Sequence, residues 1–226
     1  EAGWMLCRIA DESFKEPVIE LAEKGEGYGK LLAYECIWAF DDERIPDLVL
    51  REAEDPTACE EIMEYLPRLH DPKALDLILN EFDRGILPNR EALTRLHAIV
   101  LRNMSADDLP DLRIREHLKD EDTLDRILTT LFDCYAKLRL IEERSSSEDS
   151  SENYHYYEKQ KILQTTSLLG VRSAWKVIDA MLEDPSELIR MEAAVAYADF
   201  ELDPALEALV KIFTSTDNAV LRWEAA

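Results

Sequence analysis

Asp184-Pro185-Ser186-Glu187-Leu188-Ile189-Arg190-Met191-Glu192-Ala193-Ala194 opens an apolar helical pattern, and Asp203-Pro204 opens a second that runs through Phe213. Val220-Leu221-Arg222-Trp223-Glu224-Ala225-Ala226 then brings the first pattern back. Arg190 and Arg222 stand 32 positions apart, and so do Glu192-Ala193-Ala194 and Glu224-Ala225-Ala226. Self-similarity at a fixed period of this size marks stacked repeats, each a small unit that cannot bury its apolar face alone. The period recurs upstream. Ser173-Ala174-Trp175 precedes Pro204-Ala205-Leu206 by 31, and Leu31 to Phe40 aligns with Leu188 to Tyr197 at an offset of 157, or five periods. Pro46-Asp47-Leu48 matches Pro204-Ala205-Leu206 at 158.

Outward from that stretch the chain reads as helix nearly throughout. Its 6 glycines and 9 prolines fall between the periodic apolar segments, where they act as punctuation. Asp55-Pro56, Asp71-Pro72, Asp184-Pro185 and Asp203-Pro204 each read as a helix start, since aspartate accepts free first-turn amides and proline has none to waste. Glu187 adds a capping-box spacing to Asp184. Helices are expected at 4–10, 13–24, 31–40, 57–67, 72–84, 89–104, 154–169, 173–183 and from 187 onward. A short irregular helix is expected within 105–120, and a long one of roughly twenty residues over 122–144, where Leu124, Ile127, Leu128, Leu131, Tyr135 and Leu138 share a stripe. Gly25-Glu26-Gly27-Tyr28-Gly29 fits neither phosphate-binding fingerprint and reads as an interhelical turn. Residues 145–153, Ser-Ser-Ser-Glu-Asp-Ser-Ser-Glu-Asn, hold no apolar side chain and read as a flexible loop.

Composition narrows the function classes. The formal net charge is −23, from 49 acidic and 26 basic side chains, a surface that repels phosphate backbones; nucleic acid is not an expected partner. No apolar run approaches the ~20 residues of a membrane span, so no membrane role is expected. Cys7, Cys36, Cys59 and Cys134 show no metal-type or redox spacing and read as small core residues of a cytoplasmic, intracellular protein. His70, His97, His117 and His155 include no pair at zinc-binding spacing. Neither a metal nor a cofactor nor a nucleophile signature is read from the chain. The pattern running to Ala226 suggests a fragment of a longer protein.

The repeating Arg-x-Glu-Ala-Ala core resembles the short variety of HEAT repeat, a helix–turn–helix unit. Motif-level resemblance covers residues 28–54 and 154–226, with Ala33 in place of the family's arginine; elsewhere only helix periodicity supports it. The resemblance implies an all-α fold, a right-handed α-solenoid of HEAT-like helix pairs, with residues 1–226 as one array. Two tandem domains of one fold, divided at 145–153, are the alternative. What the family implies for function is a non-catalytic scaffold that grips a protein partner on its second helices, and the acidity of this chain suits a partner with a basic surface. Two other classes are kept: an enzyme or accessory of the phycobilin-lyase type, and a HEAT-like DNA glycosylase, against which the acidity weighs. The iron-binding hydroxylase branch carries His-Glu dipeptides, and this chain has none.

In such an array the outward polar residues of the second helices meet the partner. Here they are Lys73, Asp76, Asn80 and Arg84, then Lys176, Asp179 and Glu183, then Glu207 and Lys211. A second candidate is the run Tyr154-His155-Tyr156-Tyr157. Consecutive positions point around most of a helix, so at least one of Tyr154, Tyr156 and Tyr157 is expected to be exposed as an interface anchor.

Overall fold

Short polar side chains start the helices. Asp11 Oδ1 accepts from the Ser13 amide at 2.9 Å, Asp71 Oδ1 from Lys73 at 2.9 Å and Asn89 Oδ1 from Ala92 at 3.0 Å. Asp120 Oδ2 accepts from Thr123 at 3.1 Å, and Asp184 Oδ1 from Ser186 at 2.9 Å. Each satisfies an amide that the first helical turn leaves without an intrahelical acceptor. The computed structural model describes residues 11–40, 42–55, 60–85, 89–104, 112–145, 155–198 and 202–215, with backbone alone at 60, 61, 112, 145 and 202–204. Among the described residues every regular element is helical and no strand occurs. Contacts divide the chain into two compact units, residues 1–78 and 79–226.

In the first unit a 3₁₀ turn, Glu12–Phe14, leads into α1 (Lys15–Lys24), followed by α2 (Gly27–Ile37), α3 (Arg44–Ala53), the short α4 (Glu60–Met63) and a second 3₁₀ turn, Leu66–Arg68. Ile19, Ala22, Tyr34, Ile37, Val49, Ile62 and Leu66 form its interior. The Tyr34 hydroxyl donates to the Leu48 carbonyl at 3.3 Å, and burial pushes its phenol up to about 12. Lys30 Nζ ties α2 to Glu52 of α3 at 2.6 Å. Asp42, ahead of α3, is gripped by Arg44 and Lys15, and the hydrogen bonds from Arg44 hold its carboxyl well below the usual range.

The glycine turn differs in one respect from its expectation. Only Gly25-Glu26 is turn, and α2 already begins at Gly27. Gly27 has φ +56°, a left-handed backbone that suits glycine, and a Cβ on Gly25 would come 2.2 Å from the Leu21 carbonyl oxygen. Likewise the helix expected over 57–67 is described as α4 and a 3₁₀ turn. The expected helix at 4–10, the loop residues 146–153 and the returning motif at 220–226 lie outside the described residues.

Next comes α5 (Pro72–Arg84), inside which the two units divide. The second unit continues with α6 (Arg90–Met104), α7 (Leu112–Lys119), α8 (Glu121–Ser145), α9 (Tyr156–Leu169), a 3₁₀ turn (Arg172–Ala174), α10 (Trp175–Leu182), α11 (Glu187–Ala198) and α12 (Leu202–Ser215). Asp203 and Pro204 thus fall inside the first turn of α12 rather than ahead of it. Leu93, Leu96, Ile99 and Val100 of α6 are fully buried, as are Ile127, Leu131 and Leu138 of α8 and Ile178 and Met181 of α10. Those of α6 and α8 fall on the stripes that the sequence periodicity marks.

Within this unit three polar rungs join α6 to α9: Arg90 to Glu158 at 2.9 Å, Thr94 to Lys161 at 2.7 Å and His97 to Thr165 at 3.0 Å. Position numbers rise together along both helices, so the two run parallel. Tyr135 reaches the Ala180 carbonyl and Arg139 the Glu183 carbonyl, which orders α8 and α10 in the same sense. Between these rows α9 packs on α10, α10 on α11 and α11 on α12.

Candidate functional site

Asp184 closes the link between α10 and α11, and its carboxylate is fully buried. Lys159 of α9, whose side chain is 3% exposed, reaches Asp184 Oδ2 at 2.8 Å and Oδ1 at 3.1 Å. The same ammonium donates to Glu142 Oε2 of α8 at 2.7 Å. Tyr135 of α8 donates its hydroxyl proton to Asp184 Oδ2 at 2.9 Å. Burial, then the charge of Asp184, pushes the Tyr135 phenol well above its ordinary value, so the proton stays on Tyr135. Arg139 stands 3.9 Å from the same carboxylate. Two cations thus balance two anions, which is what makes the burial of Lys159 and Asp184 affordable. Both Asp184 oxygens are occupied, and a carboxylate so engaged acts as a strut rather than as a base.

Beside this node lies an open cleft of about 500 Å³, lined by Asp184, Arg190, Glu183, Glu207, Lys211 and Ile212 among others. Arg190 Nη1 donates to the carbonyls of Asp184 and Pro185 at 2.6 and 2.9 Å, so the repeated arginine of the opening motif holds the turn before α11. Glu187 lies 3.7 Å from Arg190, while the Asp184 amide donates to the Met181 carbonyl. Apolar packing beneath the cleft joins Met191 and Leu188 of α11 to Ile212 and Leu209 of α12.

Three of the expected contact residues meet here. Glu183 and Lys211 form an ion pair at 3.8 Å across the cleft, and Glu207 stands on its rim. Lys176 and Asp179 are exposed on α10. The α5 set is less uniform: Lys73 and Arg84 are exposed, Asp76 is half-buried, and Asn80 Oδ1 accepts from Arg126 Nη2 at 2.8 Å. Asn80 is therefore spent on packing α5 against α8. Lys73 and Asp76 belong to the first unit and the others to the second, so the whole set is not one patch in either.

Tyr154 lies outside the described residues. Tyr157 is 61% exposed, whereas Tyr156 turns to Glu192 of α11 at 2.7 Å, joined by Gln160. Their rings meet edge to face at 5.4 Å. Among the described residues no group of His, Cys, Asp and Glu could hold a metal ion, and no helix is long and apolar enough to cross a membrane. Burial pushes the Cys134 thiol up to about 12, which leaves it unreactive.

Sequence reading took Asp184 as a helix start and missed its second role. The available signal was Lys159, a lysine three positions before Ile162 on the buried face of α9. A cation at a core position demands a buried acid. Arg95 of α6, 3% exposed and 2.6 Å from Glu81, carries the same signal. Compared with known proteins, the chain matches no family model, no curated protein and no solved structure.

Two outcomes follow from this geometry. Lys159→Met removes one of the two cations and leaves the buried Asp184 and its neighbour Glu142 with Arg139 alone, which costs about 3–5 kcal/mol. Urea denaturation measures it, and a loss below about 1 kcal/mol contradicts the assignment of the node as a strut. His97 supplies the second. Thr165 Oγ1 donates to the Lys161 carbonyl at 2.6 Å and so accepts from His97 Nδ1, which places a proton on that nitrogen. Burial, then the charge of Lys161, lowers the His97 pKa from 6.5. The unfolded chain therefore binds this proton first: stability is full above pH 6.5 and declines as pH falls below it toward the folded value. The denaturation midpoint of His97→Gln falls less than that of the unaltered chain between about pH 7 and 5; equal declines contradict the assignment.

Proposed function

We propose that the chain is a non-catalytic scaffold, a solenoid of HEAT-like helix pairs whose second helices present a polar face to a protein partner. The observation that carries this reading is the parallel order of the rungs in the second unit. Arg90, Thr94 and His97 of α6 rise alongside Glu158, Lys161 and Thr165 of α9, and Tyr135 and Arg139 of α8 rise alongside Ala180 and Glu183 of α10. Parallel first helices beside parallel second helices are what repetition of one helix pair produces. Along the second helices, Lys176, Asp179, Glu183, Glu207 and Lys211 remain exposed. The saturated Asp184 carboxylate and the unreactive Cys134 thiol favour binding over chemistry. Neither the phycobilin-lyase type nor the DNA-glycosylase type reading has an observation of its own to carry it.

The test is the double variant Asp179→Lys with Glu207→Lys, used as bait beside the unaltered chain, with captured proteins quantified by mass spectrometry. Both positions are exposed, so stability changes by no more than about 0.5 kcal/mol. A partner that meets this face is retained by the unaltered chain and depleted roughly tenfold or more on the variant. Equal capture by a variant of unchanged melting temperature removes this face as the binding surface.

A further inference from the structure

The first unit leaves an apolar stripe uncovered. Phe14 is 44% exposed, Leu21 of α1 43% and Tyr28 of α2 75%, and Pro17 lies exposed on the same side of α1 between the first two. The glycine turn builds this surface. Gly25 and Gly27 permit the tight connection, and a Cβ on Gly29 would lie 3.8 Å from Leu21 Cδ1, so the start of α2 sits against Leu21. Tyr28 is thereby brought beside the stripe and held out from the fold.

Its surroundings are acidic. Residues 11–28 contain Asp11, Glu12, Glu16, Glu20, Glu23 and Glu26 against Lys15 and Lys24. Lys24 is taken by Glu20 at 3.1 Å, Lys15 by Asp42 at 3.3 Å and Glu16 by Arg44 at 2.7 Å. Glu26, between α1 and α2, is exposed and forms no ion pair among the described residues. Apolar side chains rimmed by carboxylates are the inverse of a membrane-surface helix, whose polar face is basic. They complement instead a helix with one apolar and one lysine- or arginine-bearing face, which lays anchors at i, i+3 or i+4 and i+7 into such a surface.

We propose that Phe14, Leu21 and Tyr28, with Glu20 and Glu26 beside them, form a docking surface for a basic amphipathic helix of a partner protein. The proposal deepens the scaffold reading and rests on it for the existence of a partner, but it uses a different unit and a different surface. Tyr28 is the anchor, a large ring with a polar tip and few torsions to freeze.

The test uses a fluorescein-labelled eighteen-residue peptide of leucine and lysine in amphipathic helical order, titrated with the intact chain and followed by anisotropy. Saturable binding is expected, weakened roughly tenfold or more by Tyr28→Asp. That substitution adds a negative charge, so adsorption to the acidic protein as a whole would leave affinity equal or raise it. Val195→Asp, the same added charge at an exposed site of the second unit that belongs to neither proposed surface, leaves affinity within about twofold. Equal or tighter binding by Tyr28→Asp overturns the proposal. So does absence of binding by the unaltered chain, the result if its own residues 1–10 or a second copy cover the stripe. The Asp179→Lys, Glu207→Lys variant keeps peptide affinity, so failure of the scaffold test and failure of this one are told apart.

Discussion

A lysine and an aspartate buried against each other hold the second unit in order. Asp184 receives Lys159 from α9, Tyr135 from α8 and the Ser186 amide at the entry to α11, and it sits at the exit of α10. One carboxylate therefore joins four helices at a single point. Buried ion pairs add little stability over apolar side chains of the same shape, but breaking one is costly. Their value lies in direction: hydrophobic contact between helices tolerates sliding, whereas these bonds of 2.8 to 3.1 Å admit one register. The rungs between α6 and α9 impose the same register on the far side of α9.

That register sets α6 beside α9 and α8 beside α10 in one sense, the order that the proposed row of helix pairs requires. Apolar contacts add to it: Met191 and Ile212 pack between α11 and α12, and Trp175 and Tyr197 between α10 and α11, rings 5.7 Å apart. The opposite sides of α10 and α12 stay polar and open. Leu206, Val210 and Phe213 of α12 are exposed as well, so this surface mixes charged with apolar side chains.

Much of this was legible in the sequence, because periodicity and capping are local. The stripe of α8 and the Asp71 and Asp184 helix starts follow from spacing of 3.6 residues and from the chemistry of a short acceptor before free amides. The 32-residue return also marked Arg190 as a repeated position, though not that its guanidinium clasps the preceding turn. Three-dimensional pairings were not legible. Asn80 reads as a solvent-facing residue until Arg126, 46 positions away, takes its side-chain oxygen. Lys159 reads as one more charge in an acidic chain until Asp184 and Glu142 enclose it. The expected contact residues fall in both units for the same reason: spacing places residues on a helix but does not place one helix beside another.

The parallel stacking of first helices is the claim on which both the fold reading and the scaffold reading stand. Spin labels test it directly, attached to single cysteines at exposed positions 91, 101 and 157 in a background whose own cysteines are replaced. Residue 91 opens α6, 101 lies near its end and 157 opens α9, so ten residues separate the two α6 sites by about 15 Å along the axis. Parallel helices predict that the 91–157 distance, read by double electron–electron resonance, is several ångström shorter than the 101–157 distance. Equal distances, or the reverse order, contradict the stacking and with it the repeat architecture.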